Sequence, residues 1–198
     1  MRIAVEAVGG PSAVAGAEVS GVVDSLLGEY GDWVADQLAR DAGSTLTAAE
    51  LARHHQAFRA QLPRLLGPRG RLLVARLDGR PVGVGALKPV DEATAEIKRM
   101  FVRPAAQGLG VGRAILHRLL QDASAEGYAT VRLETLRFMT TARAMYRAAG
   151  FVEAARFAGS EAAGTALDPL TIALQLDLAA GHPMTAAAGV RVRDGRAG

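Results

Sequence analysis

Apolar residues change their spacing along the chain, and the changes mark out its elements. From Ser20 to Asp41, Val22, Leu26, Tyr30 and Trp33 recur near the 3.6-residue turn of a helix. Thr47 to Leu66 repeats that pattern after a Ser/Thr cap region, which predicts a second helix. Strands follow. RLLVARLDGRPVGVGAL is two apolar runs joined at Asp78-Gly79, a dipeptide suited to a tight hairpin turn. AEIKRMFV, Ala95 to Val102, reads as a third strand ended by Arg103-Pro104. Gly112 to Gly127 returns to helical spacing, with Ala114, Ile115, Leu119 and Ala123 on one face and Arg113, His117 and Gln121 on another. Thr130 to Leu136 alternates Val131, Leu133 and Thr135 against Arg132 and Glu134, the period of a strand. TTARAMYRAAG is a further helix closed by Gly150, and Leu170 to Leu178 sets Ile172, Leu174, Leu176 and Leu178 on one face of a last strand.

Length and composition narrow the class. At 198 residues and 49% hydrophobic, the chain can bury one good core and is short for two full domains. A single domain over 1–178 is expected, with the Ala/Gly/Arg-rich stretch 179–198 as a mobile tail. Cysteine is absent, which excludes a disulfide framework and a cysteine nucleophile and fits a reducing cytoplasm. The first residues carry one positive charge, Arg2, and a glycine-broken apolar run, a poor signal peptide. No stretch reaches the roughly 18 apolar residues of a membrane helix. A cytoplasmic protein without a membrane partner is therefore expected. Net charge is only +3 and the basic residues are spread among acids, so no clustered basic face invites nucleic acid.

The stretch FVRPAAQGLGVGRA, Phe101 to Ala114, carries the first chemical signal. A strand, a proline, glycines at 108, 110 and 112, and then a helix bring successive backbone N–H groups to a helix N-terminus, where an anion is favoured. A Walker A loop requires Lys and then Ser or Thr after its last glycine; Arg113-Ala114 follow here and exclude it. A dinucleotide fingerprint spaces its glycines G-x-G-x-x-G directly after a strand, whereas these fall as G-x-G-x-G behind Pro104.

Gln107-Gly108-Leu109-Gly110-Val111-Gly112 resembles the Gln/Arg-x-x-Gly-x-Gly/Ala pyrophosphate loop of the GNAT acetyltransferase superfamily, preceded, as in that family, by a strand and Val102-Arg103-Pro104. AEIKRMFV and VRLETL resemble its two central strands, and ARAMYRAAGF its A-x-x-x-Y-x-x-x-G-F helix. The matches run in order from about Leu72 to Phe151, with Leu170 to Leu178 as the last strand. The resemblance implies a mixed α/β (α+β) fold: a central sheet of about six to seven strands flanked by helices, in which two central strands splay apart and admit acetyl-CoA. It implies that the pantetheine arm meets the backbone of Met100, Phe101 and Val102, and that the pyrophosphate meets the amides of Gln107, Gly108, Leu109, Gly110, Val111 and Gly112. Arg113 either adds a contact or is solvated. Many members carry Asn seven residues before the helix tyrosine; Met139 stands there, so that contact is not carried over.

Acetyl transfer to an amine needs a neutral nucleophile, a stabilised oxyanion and a proton for the departing thiolate, and an alkylamine is mostly protonated at neutral pH. Glu96, four residues before Met100, is either a general base or a half-exposed strand carboxylate paired with Lys98 or Arg132. The resemblance implies that the Tyr146 hydroxyl faces the coenzyme sulfur and protonates it; the alternative is a core tyrosine. It also implies that the region of Tyr30 and Trp33 walls the acceptor pocket, although a core stripe has the same spacing. Glu161 could meet a cationic acceptor or be solvated. His54-His55 point apart on a helix and lack a third ligand, so no metal is expected, and His117 is read as exposed. The expected activity is acetyl-CoA-dependent transfer to an amine of a small molecule or peptide, by a monomer or homodimer; the alternative is a non-catalytic acyl-CoA sensor on the same fold.

Overall fold

A computed structural model describes residues 1–8, 16–41 and 47–178 of the chain, with the side chains at 16–20, 41, 48–49, 51, 54–55 and 58 left out. The His54 and His55 side chains and the segment 179–198 thus lie outside the described residues. A short strand opens the described chain: β1 (Ile3–Ala7) precedes two helices, α1 (Gly16–Asp41) and α2 (Ala48–Leu65). Then come β2 (Arg71–Leu77), β3 (Arg80–Pro89), β4 (Thr94–Val102), α3 (Val111–Ala125), β5 (Thr130–Leu136), α4 (Thr140–Ala148), β6 (Val152–Glu153) and β7 (Thr171–Asp177).

Local chemistry accounts for most of these boundaries. Thr47 caps α2 in a reciprocal box: its hydroxyl accepts from the Glu50 N–H at 3.2 Å, and its own N–H donates to the Glu50 carboxylate at 2.8 Å. Asp78 and Gly79 turn the β2–β3 hairpin with φ of 48° and 85°, the pair of positive values that a two-residue turn matching the strand twist requires.

The seven strands form one mixed sheet in the order β1-β2-β3-β4-β5-β7-β6, antiparallel throughout except for the parallel pair β4–β5. This is the expected mixed sheet with helices. β1 was not predicted; its five residues are too few to reveal a period and gain their order by pairing with β2. One face of the sheet packs against α3 and α4, around Leu73, Leu87, Ile97, Ile115, Leu119, Leu133 and Leu174. The other packs against α1 and α2 through Val23, Leu26, Leu27 and Leu65. Each fully buried Leu or Ile contributes about 1.5–3 kcal/mol.

A single bulge sets which β4 residue reaches which face. Between the pairs Ala86↔Lys98 and Val84↔Phe101, the one residue Gly85 opposes both Arg99 and Met100. Arg99 takes φ of 54°, unusual for a residue with a side chain. Past this point the alternation is inverted: Met100 and Val102 join the α3 side with Ile97, and Phe101 turns to the α1 side.

Gly83 and Gly85 let α3 approach β3. A Cβ on Gly85 would stand 2.5 Å from Ile115 Cγ2 and 3.3 Å from Leu119 Cδ1, both on fully buried side chains. Gly85→Ala should lower the unfolding free energy by about 1–3 kcal/mol, an overpacking cost read from urea denaturation. An unchanged midpoint would mean that α3 can shift at no cost.

Candidate functional site: a split between two parallel strands

The β4–β5 ladder has four pairs, from Thr94↔Thr130 to Ile97↔Leu133, and then ends. Beyond it β4 continues to Val102 paired only with β3, and β5 continues to Leu136 paired only with β7. Their facing edges therefore carry main-chain groups without a strand partner, a template for an extended ligand.

Two phenols approach this split from opposite faces of the sheet. Tyr146, on α4, belongs to the α3-side core; it stacks edge-on against Phe151 at 5.9 Å and donates its hydroxyl to Met100 Sδ at 3.7 Å. Tyr30, on α1, lies 5.6 Å from the Phe101 ring on the other face. Burial pushes the Tyr146 phenol well above the ordinary tyrosine range, and the second phenol nearby, Tyr30, adds to the rise. Burial also raises Tyr30, against the opposing pull of Arg99 and Lys98. Both phenols are thus fully protonated at neutral pH. Trp33 packs beside Tyr30 with Val34, Leu38, Leu136 and Phe138 as an apolar wall.

The glycine loop leads from the end of β4 into α3. Arg103 fixes the approach: it donates to both oxygens of Glu29 on α1, at 2.7 and 2.6 Å, and to the Pro81 carbonyl at 2.6 Å. The Gln107 side chain donates to the Val102 carbonyl at 3.0 Å, so that carbonyl, expected to be free, is already engaged. Gly108 and Gly110 take φ of 75° and 86°, and a Cβ on either would meet nothing closer than Ile3 Cδ1, 4.0 Å from Gly110. Their lack of side chains is required by backbone conformation as well as by any ligand's approach. The first α3 bond runs from the Ala114 N–H to the Gly110 carbonyl at 3.0 Å, which leaves the N–H groups of Val111, Gly112 and Arg113 ahead of it. No side chain caps this end and no acidic residue stands in its first turn. Uncapped donors, the positive helix end, an exposed loop and a first turn without a carboxylate fit a phosphate group. Leu109 and Arg113 are exposed beside it.

A buried ionic network covers the α1 side of the split. Glu96 is only 4% exposed, not half-exposed as expected, and it is the centre of three cations: Lys98 Nζ at 2.9 Å, Arg132 at 3.1 Å and Lys88 Nζ at 3.3 Å. Burial works to raise its pKa, but Lys98, Lys88 and Arg132 together outweigh this and hold it below the usual carboxylate range. Lys98 also reaches Glu161 at 2.9 Å, and Glu161 in turn pairs with Arg99 at 2.9 Å and accepts from Gln61 at 2.8 Å. Burial again opposes, and Arg99 and Lys98 win, holding Glu161 far below the ordinary range. So Glu161 is neither solvated nor free: it latches the loop before β7 to β4. His117, expected to be exposed, is partly covered, with Nε2 buried and unpartnered. The pairing of Glu96 with Lys98 and Arg132 was foreseen; Arg99, Gln61 and Glu134 were not, and only the face-sharing of Arg132 and Glu134 on one strand hinted at the last.

The acetyltransferase (GNAT) family profile matches residues 36–151, more than half of the chain. The chain belongs to the acetyltransferase (GNAT) family. The IAA acetyltransferase of Azospirillum brasilense is 40% identical over 97 residues, covering 48% of this chain and 63% of that protein. The chain spans less than two thirds of the length of several curated relatives it matches, 63%, 27% and 53% for three of them. A GNAT-family acetyltransferase from Staphylococcus aureus Mu50 superposes with a TM-score of 0.60 at 14% identity, over 88% of this chain and 99% of that one. The yncA protein of Salmonella typhimurium, solved with its cofactor acetyl-CoA, gives 0.55 at 18% identity, over 90% and 95%. At such identities the likeness shows the GNAT fold. No described helix is long and apolar enough to cross a membrane.

Because Glu96 and Glu161 have folded pKa values below their unfolded value of about 4.3, their contribution is fully present above that pH and is lost as pH falls beneath it. The unfolding free energy should hold near neutrality and fall below about pH 4.3, and Glu161→Gln should show a shallower acid limb. Equal acid limbs in denaturant titrations of the two proteins would contradict the network.

Proposed function

We propose that the protein is an acetyl-CoA-dependent N-acetyltransferase that moves the acetyl group directly to a primary amine of a small molecule or peptide. The observation that carries this is one coincidence: the β4–β5 split, the uncapped α3 N-terminus and the Tyr146 hydroxyl lie along a single path at the C-terminal end of β4. Acetyl-CoA, when bound, supplies an acetyl group already activated as a thioester. The amides from Gly108 to Gly112 hold its pyrophosphate, with Arg113 in the first helical turn free to swing toward it, and the unpaired β4 edge at Met100 and Phe101 holds the pantetheine arm. Val102 contributes indirectly, by anchoring Gln107 and hence the loop.

Tyr146 keeps its proton at neutral pH because its phenol is buried, and it already donates to a sulfur, that of Met100. It is suited to hydrogen-bond and protonate a departing thiolate, whose conjugate acid has a pKa near 8.5. Glu96 serves differently. A carboxylate shared by three cations and held below its usual range is a weak base, so its part is to order β4 and β5 below the split. Tyr30 and Trp33 line the acceptor side, and Glu161 holds the covering loop in place.

Tyr146→Phe should lower kcat by roughly ten- to a thousand-fold while leaving KM for acetyl-CoA nearly unchanged, the pattern of an interaction made mainly in the transition state. CoA thiol release with a panel of amines and N-terminal peptides measures this. Unchanged turnover would sink the acid role. Tight CoA binding by the wild type with no amine turned over would instead favour the acyl-CoA sensor.

A further inference from the structure

Three carboxylates lie beside the split on the α1 side, and their oxygens are not equally occupied. Those of Glu96 and Glu161 are all taken by Lys88, Lys98, Arg99, Arg132 or Gln61. Glu134 differs. Its Oε2 accepts from the Ser160 hydroxyl at 2.9 Å, while its Oε1 is buried and has no partner among the described residues. A half-satisfied buried carboxylate is costly unless a cation completes it.

The position of Glu134 says what kind of cation. It is the first β5 residue beyond the last β4–β5 pair, Ile97↔Leu133, and so stands across the opening from Lys98. Two residues before it on the same face, Arg132 pairs with Glu96; two residues after it, Leu136 packs against Val34 and Leu38 in the cluster that holds Tyr30, Trp33 and Phe138. Each step of two residues is about 7 Å along a strand. The vacant carboxylate oxygen therefore lies where an ionic floor meets an apolar, aromatic wall. Ser160 neighbours Glu161, so the loop that orients Glu134 is itself latched to Lys98 and Arg99.

Building on the proposed acetyl transfer, we infer that Glu134 receives the ammonium of the acceptor, and that the acceptor is a primary amine on an apolar or aromatic stem. The role is recognition and orientation of the charged form: Ser160 holds one oxygen, the ammonium takes the other, and the stem lies along Leu136 and Trp33. An acceptor with a carboxylate beside its amine is disfavoured, because it would bring a second negative charge to Glu134.

The test uses the full chain saturated with CoA, titrated calorimetrically with phenethylamine and with its neutral counterpart 2-phenylethanol. The wild type should prefer the amine at least ten-fold. Glu134→Gln, which keeps the shape and loses the charge, should erase that preference while leaving CoA affinity and melting temperature unchanged, and Ser160→Ala should reduce it only in part. Survival of the preference in Glu134→Gln, or no preference in the wild type, would overturn the assignment. If amines release CoA thiol equally well from wild type and Glu134→Gln, only this inference falls; if the wild type binds no CoA, the acetyl-transfer reading falls with it.

Discussion

Two parallel strands that part after four residue pairs impose the rest of this architecture. A parallel pair cannot be closed by a tight turn; it needs a crossover, and here the crossover is α3. The N-terminus of α3 must therefore emerge at the C-terminal end of β4, beside the place where the strands separate. The split supplies unpaired main-chain edges, and the crossover supplies unpaired N–H groups at its mouth. Gly108 and Gly110, both at positive φ, make the sharp passage between the two, and Arg103, clamped by Glu29 and Pro81, fixes where it starts. One topological fact thus brings an extended-chain site and an anion site into line.

Electrostatics finishes what the topology begins. Below the split, Glu96 ties β3, β4 and β5 together through Lys88, Lys98 and Arg132; above it, Glu161 ties the loop before β7 to Lys98 and Arg99. Pairs this well buried give modest net stability, since desolvation offsets much of their attraction, but removal of one partner strands a charge. Their effect is to fix geometry. Tyr146 and Tyr30, by contrast, hold their protons because the surrounding apolar core disfavours the phenolate.

What could be read from the sequence was local. The Asp78-Gly79 turn, the Ala114, Ile115, Leu119 and Ala123 face of α3 and the Ile172, Leu174, Leu176 and Leu178 face ending in β7 all follow from spacing or turn chemistry, and the structure has them where the pattern predicts. The glycine loop carried the family resemblance. What could not be read depends on register and on contacts between distant elements. The bulge at Arg99 has no glycine to announce it, yet it exchanges the faces of Met100 and Phe101. Strand alternation made Glu96 half-exposed because the sequence does not reveal that Lys88, Lys98 and Arg132 would close around it, or that a distant carboxylate, Glu161, would hold Lys98 from the other side. β1 was too short to show a period, and the vacancy at Glu134 exists only once Ser160 is folded over it.

The central claim is that the β4 edge and the α3 N-terminus form one continuous binding surface for CoA. Amide hydrogen exchange of the full chain with and without CoA tests it most directly. CoA should slow exchange together at Met100–Phe101 and across Gly108–Arg113, with little change in the β2–β3 hairpin. Binding of CoA without protection at both segments would contradict it.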